Sequence, residues 1–194
     1  MLFSIQGLYS QTLNRKINGL LINQLPYKYA YLVDLNRKGI TMSPILNKKF
    51  HFDVKQDDDF ELRKLFLSGD STENFDTYLQ KSRERTLDER LLAIDSDAEI
   101  FIRMDVNGAT VKGGKYNSDI EDMNATIQNK EYLTFFTNHP DSPISLMFIN
   151  VLLSINSSFS LLKKTDFEQF FSKLSIKLRN TEKGKEVSKK IEAI

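Results

Sequence analysis

KGGKYNS, residues 112 to 118, is the stretch that comes nearest to a reactive motif. A phosphate loop requires G-x-x-x-x-G-K-[ST], because successive backbone N–H groups wrap the phosphates while the lysine and the hydroxyl hold the outer phosphate and Mg²⁺. Counted from Gly108, the position that must be lysine is Gly114, and Lys115 is followed by Tyr116 where Ser or Thr is required. The double glycine therefore reads as a hinge between two parts of the chain. Asp57, Asp58 and Asp59, and further on Asp95, Asp97 and Glu99, offer oxygens to a hard cation. Neither set has the alternating ligands, central Gly and twelfth-position Glu of an EF-hand loop, so both read as turns with solvated carboxylates. His51 and His139 stand far apart and lack helical metal-ligand partners, which makes them structural or surface residues. Neither G-x-S-x-G nor H-E-x-x-H occurs. Two carboxylates at a glycosidase separation depend on the fold rather than on a motif. No catalytic residue, cofactor or metal is expected.

Composition narrows the classes further. The chain has no cysteine, so it carries no disulfide, no thiolate zinc site and no dithiol redox cycle. Its 27 basic and 26 acidic residues leave a net charge of +1, too little to draw in nucleic acid or an anionic membrane. With 194 residues it can build one or two compact units. No apolar run reaches the 18 or so residues of a membrane-spanning helix. Residues 1 to 11, MLFSIQGLYSQ, are apolar and then small and polar, which suits the tail of a secretory signal peptide cut near Ser10 or Gln11. The expected location is periplasmic or extracellular, with a cytoplasmic chain as the alternative.

Period-two patterning with turn punctuation runs from about residue 12 to 114 and predicts antiparallel strands. NRKINGLL, KYAYLVDLN, GITMSPILN, KKFHFDVK, LRKLFLS, ERLLAID, AEIFIRM and ATVKG are the candidates, with Asn47-Lys48 and Ser96-Asp97 as turns. Pro44 removes a ladder donor and places its strand at a sheet edge or bulge. Residues 71 to 85 interrupt the strands with a short helix carrying Phe75, Tyr78 and Leu79 on one face. From about 115 to 194 the period becomes 3.6. A helix bearing Ile120, Met123 and Ile127 extends toward Phe136 with a break. In TNHPDSPIS, residues 137 to 145, His139-Pro140 ends it, Ser142 caps the next helix and Pro143 opens it. Ile144, Met147, Phe148, Val151, Leu152 and Ile155 form a single stripe on that helix. Thr165 with Glu168 predicts the cap of a helix bearing Phe167, Phe170, Phe171 and Leu174, and a polar helix covers about 181 to 193. The fold class is α+β: an N-terminal antiparallel β-sandwich-like sheet unit, then a C-terminal helical hairpin or small bundle packed on it.

Among fourteen Phe and seven Tyr, Tyr27, Tyr29 and Tyr31 alternate and are expected to share one strand face. Covered by the helical half, that face is core; left open, it is a contact surface. With the edge near Pro44, it is the candidate site for a partner.

The order of parts resembles the domain of unknown function that precedes the thioredoxin-like domain in many exported bacterial thiol-disulfide oxidoreductases. The residues that carry the resemblance are Ser43, Pro44, Ile45, Asn47, Lys49, Phe50 and Phe52; then Ala109, Thr110, Val111, Gly113, Lys115 and Asn117; then Asn138, Pro140, Asp141, Ser142 and Pro143; and finally Phe171, Lys173, Leu174, Ser175, Leu178, Thr181, Gly184 and Lys185. In that family the redox-active C-x-x-C lies in a thioredoxin-like domain that begins about where KEVSKKIEAI stands, so oxidoreductase activity does not carry over to this cysteine-free chain. The resemblance implies a non-catalytic, exported accessory or interaction domain whose partner is a protein of the cell envelope, such as a thioredoxin-like domain. An apolar-ligand carrier and a carboxylate-dependent envelope hydrolase are the alternatives.

Overall fold

The computed structural model of the chain describes residues 13–56, 60–159 and 161–194. Residues 1 to 12, on which the expected signal-peptide tail falls, and Asp57, Asp58 and Asp59 lie outside the described residues. One compact unit ends at Asn117 and a second begins at Ser118.

The first unit is a sandwich of two four-stranded sheets. Its strands are β1 (Leu13–Leu21), β2 (Tyr29–Asp34), β3 (Gly39–Pro44), β4 (Lys49–Gln56), β5 (Glu61–Ser68), β6 (Glu89–Ile94), β7 (Ala98–Ile102) and β8 (Thr110–Lys112). Sheet A runs β4-β1-β7-β8 and sheet B runs β3-β2-β5-β6. Alternation supplies the core between them: Ile17, Phe50, Phe52 and Ile100 from sheet A meet Ala30, Leu32, Leu65 and Ile94 from sheet B. Gly19 has a packing reason. It pairs with Phe50 across β1 and β4, and a Cβ there would lie 1.9 Å from that ring.

The strand expectations hold in place and type, with one change of direction. β1 and β7 are parallel, because the short Asp95 to Asp97 connection carries the chain from sheet B across to sheet A. The Lys16 amide donates to Asp97 Oδ1 at 2.8 Å and pins that crossing. Asn47 and Lys48 form the two-residue loop of a β3–β4 hairpin with φ of 51° and 65°, the left-handed pair that a type I′ turn demands.

Gly113 and Gly114 stand just before the boundary between the two units. Their φ values are 89° and 78°, and a Cβ at either position would come within 2.4 Å of Asp97 O or 2.6 Å of Asp95 Oδ1. Next to them, the Asn117 carboxamide acts as a missing strand for the edge of β6, accepting from Ala93 N at 2.9 Å and donating to Ala93 O at 2.8 Å.

Helix α1 (Phe75–Arg83) is the expected insertion, capped by Asn74. It lies on the outer face of sheet B, where Tyr78 joins Tyr31, Val33 and Phe66 in a buried cluster. Glu73 anchors its start, accepting from Ser68 Oγ at 2.8 Å, from Thr77 Oγ1 at 3.2 Å and from Lys81 Nζ. Burial alone would raise the Glu73 pKa, but these donors together hold it below the usual carboxylate value.

The second unit holds α2 (Tyr116–Asn129), most of which follows Ser118, then α3 (Tyr132–Asn138), α4 (Pro143–Phe159), α5 (Lys164–Lys173), α6 (Ile176–Arg179) and α7 (Glu182–Glu192). The break between α2 and α3 falls at Lys130, whose φ is 59°. Aromatic rings form the core, with Phe136 stacked on Phe170 at 5.0 Å and tilted against Phe148 at 5.4 Å. TNHPDSPIS is a pinned junction. Ser142 Oγ donates to Asp119 Oδ2 at 2.5 Å, and the two ring nitrogens of His139 lie 3.1 Å from Asp119 and 3.2 Å from Asp122. Helix α5 starts earlier than expected, because Asp166, not Glu168, reaches back to accept from the Lys163 amide at 2.7 Å. Thr165 therefore lies inside the helix.

Candidate functional site

Register on sheet A builds a composite surface from three strands. Asn18 on β1 stands between His51 on β4 and Glu99 on β7, and the next outward residue, Leu20, stands between Lys49 and Phe101. On the far side, Lys112 of β8 pairs with Glu99 and sets its ammonium 5.1 Å from the centre of the Phe101 ring. Each inward neighbour is core, so period-two alternation fixes these side chains outward.

The β3–β4 hairpin borders this surface. Ser43 Oγ accepts from the His51 backbone amide at 3.0 Å, a side-chain bond where the two strands turn the corner between sheets. Pro44 and Leu46 then flank an open groove of about 750 Å³ that also takes in Asn18, Leu20, Lys49, His51, Glu99 and Phe101. Leu46 is 67% exposed. An apolar strip thus runs between a cation and an anion, Lys49 and Glu99, that hold no ion pair among the described residues.

His51 is the groove's adaptable polar group. Its Nδ1 lies 2.8 Å from Asn18 Oδ1 and its Nε2 lies 3.1 Å from Asp53 Oδ1. The Asn18 carboxamide can turn to offer either a donor or an acceptor, so the pair is kept with either tautomer of the ring. Ser43 does not complete a nucleophile–base pair, because its hydroxyl meets the His51 main chain and not the ring.

Two other carboxylate pairs among the described residues are each engaged by a basic side chain. Asp34 and Glu61, both buried, clamp Arg63, with Arg37 donating to Glu61 at 3.0 Å. Asp119 and Asp122 bracket His139, each nitrogen meeting its own carboxylate rather than a shared point. No group of three or more His, Asp or Glu side chains among the described residues is placed to hold a metal ion. The groove itself is lined by one carboxylate, Glu99.

The three tyrosines do not share a face. Tyr31 is 1% exposed, stacks on Phe66 at 5.0 Å and donates to Asp70 O at 2.6 Å. Burial, followed by the nearby Glu73 charge, raises its pKa. Its cover is α1, which the sequence shows as an insertion, not the helical half. Tyr29 is half-buried at the margin of the same cluster, while Tyr27 precedes β2 and packs against the core between the sheets. Tyr78 completes the stack on Phe66 and donates to Glu89 Oε2 at 3.0 Å; burial, the Glu89 charge and that bond push its pKa up to about 12. Pro44 is exposed on edge strand β3, as expected, and is the one predicted contact residue that reaches the groove.

Asn18, Leu20, Lys49, His51, Glu99 and Phe101 went unsingled in the sequence as a site. Outward positions were readable strand by strand from the alternation, but the cross-strand register that joins them was not. Among the described residues no helix is long and apolar enough to cross a membrane. Comparison of the chain with family models, with curated proteins and with solved structures finds no match in any of the three.

Proposed function

We propose that the chain is a non-catalytic binding domain, exported and related to the regions that accompany thioredoxin-like domains, and that its partner engages the outer face of sheet A. The observation that supports this is the groove, where Leu20 and Phe101 form an apolar strip between Lys49 and Glu99, which hold no ion pair among the described residues. Protein contacts are built from an apolar centre with a polar rim that fixes orientation. The groove suits a protein segment that presents one apolar side chain to the strip, an acidic group to Lys49 and a basic group to Glu99. The edge of β3 beside Pro44 lets an extended segment continue along the sandwich corner.

The test is photo-crosslinking in cells. A crosslinking amino acid at Lys49 is expected to capture a protein of the cell envelope, and the same group at Lys28, which lies outside the groove, is not. The double substitution L20E/F101E is expected to abolish the Lys49 product while leaving the melting temperature near wild type. Equal capture from both positions, or capture unaffected by L20E/F101E, would exclude the groove as the contact surface.

A further inference from the structure

The apolar stripes of α2 and α4 both outrun the core in which they pack. On α2, Ile120 and Met123 are buried, whereas Ile127, one turn further on, is 40% exposed. On α4, Phe148 and Leu152 are buried, whereas Val151 and Ile155 are 37% and 42% exposed. These uncovered ends line one cleft of about 370 Å³, with Leu161, 72% exposed, on its rim.

Besides the Tyr132 ring, two polar side chains that line this cleft decide what it can accept. The Asn156 carboxamide donates to Leu162 O at 2.9 Å and accepts from Leu162 N at 2.7 Å, so its polar atoms are spent on holding the following loop as a wall. Lys130, at the break between α2 and α3, also lines the cleft, and its ammonium has no ion pair or hydrogen bond among the described residues. A mainly apolar wall and a single cation without a partner among the described residues therefore face the same space.

We propose that this cleft binds a free single-chain amphiphile with an anionic head, a medium-chain fatty acid carboxylate. Apolar concavities of a few hundred Å³ with few polar groups are the usual form of a small-molecule site. At about 30 Å³ per heavy atom, the share of a liquid water molecule, the space holds roughly a dozen such atoms. The alkyl chain lies against Ile127, Val151 and Ile155, and the carboxylate faces Lys130. One cation matches one head group, whereas an anionic bilayer is held by several cations together. The site is separate from the sheet A groove, and its failure would leave the partner proposal there unaffected.

Titration calorimetry of the full chain with decanoate and with decanol, below micelle-forming concentrations, tests the assignment. Decanoate is expected to bind saturably at one site. Lys130→Glu is expected to weaken decanoate about tenfold or more and leave decanol unchanged, because it replaces an attraction to the head group by a repulsion. Ile155→Trp, which fills the cleft from an exposed position, is expected to weaken both ligands about tenfold. Wild-type melting curves for both variants show that the fold is retained. The proposal is overturned by the absence of saturable binding, by decanoate affinity indifferent to either substitution, or by equal effects of Lys130→Glu on the two ligands. Binding to phosphatidylglycerol vesicles without binding of free decanoate would also overturn it. So would a dimer in sedimentation that Ile155→Asp dissociates, since the occupant would then be a second copy of the chain.

Discussion

On the outer face of sheet B, Tyr31, Val33 and Phe66 lie buried in a cluster with Tyr78 of α1; on the outer face of sheet A, Asn18, His51 and Glu99 are exposed and Leu20 and Phe101 half-buried. Both faces are products of the same alternation, and the difference lies in what each strand carries at its second set of positions. β2 reads YAYLVD and is apolar on both sides until Asp34, whereas β4 reads KFHFDVKQ and is apolar on one. A strand with two apolar faces needs a second cover, which the insertion helix α1 supplies. A strand with one leaves its other face free to take polar groups, and on sheet A these converge on a groove.

The contrast is broken most severely by aromatic truncation. Phe66→Ala removes the ring stacked between Tyr31 and Tyr78 and is expected to cost about 3–5 kcal/mol in urea denaturation. Phe101→Ala, at an outward position on sheet A, is expected to cost about 1 kcal/mol or less. Equal costs would mean that sheet A is also covered.

Glu73→Gln tests the anchor of the cover and is expected to cost about 2 kcal/mol at neutral pH, since charge-assisted bonds from Ser68, Thr77 and Lys81 are weakened. Glu73 has a lowered folded pKa, so its contribution is present above the unfolded carboxylate value and is lost as pH falls through the folded one. Melting temperatures at decreasing pH should therefore converge for wild type and variant. Parallel curves would remove Glu73 as the source of that acid sensitivity.

Tyr78→Phe deletes the bond to Glu89 and is expected to cost about 1 kcal/mol. Because the folded pKa of Tyr78 is raised to about 12, wild type holds this contribution below the unfolded tyrosine value near 10 and loses it as pH rises through the folded value. The Phe variant should show a shallower alkaline decline by circular dichroism. On the open face, His51→Ala is expected to change stability by no more than about 0.5 kcal/mol, and a larger loss would reassign His51 from the groove to the scaffold.

The sequence made the scaffold legible because its signals are local. Alternation located the strands, Asn47-Lys48 marked the hairpin turn, and Ser142-Pro143 marked the start of α4. The tyrosine face was misread because alternation tells which residues share a side of a strand but not where that strand begins; Tyr27 falls before β2. The cover of Tyr31 is α1 and not the expected helical half, since alternation does not tell which element from elsewhere in the chain packs on a strand. The groove stayed hidden for a related reason. Asn18, Glu99 and His51 become neighbours through the pairing of β1 with β4 and β7, which no local pattern encodes. Glu168 has the spacing from Thr165 of a cap partner, whereas Asp166 satisfies the same requirement for a helix that begins at Lys164.

The carboxamide of Asn117 also decides whether the edge of β6 is closed, because it carries both a donor and an acceptor on one side chain. A carboxylate at this position, as in Asn117→Asp, would still accept from the Ala93 amide but would have no proton for the Ala93 carbonyl, so a single change of functional group would reopen half of that strand edge to a neighbouring chain.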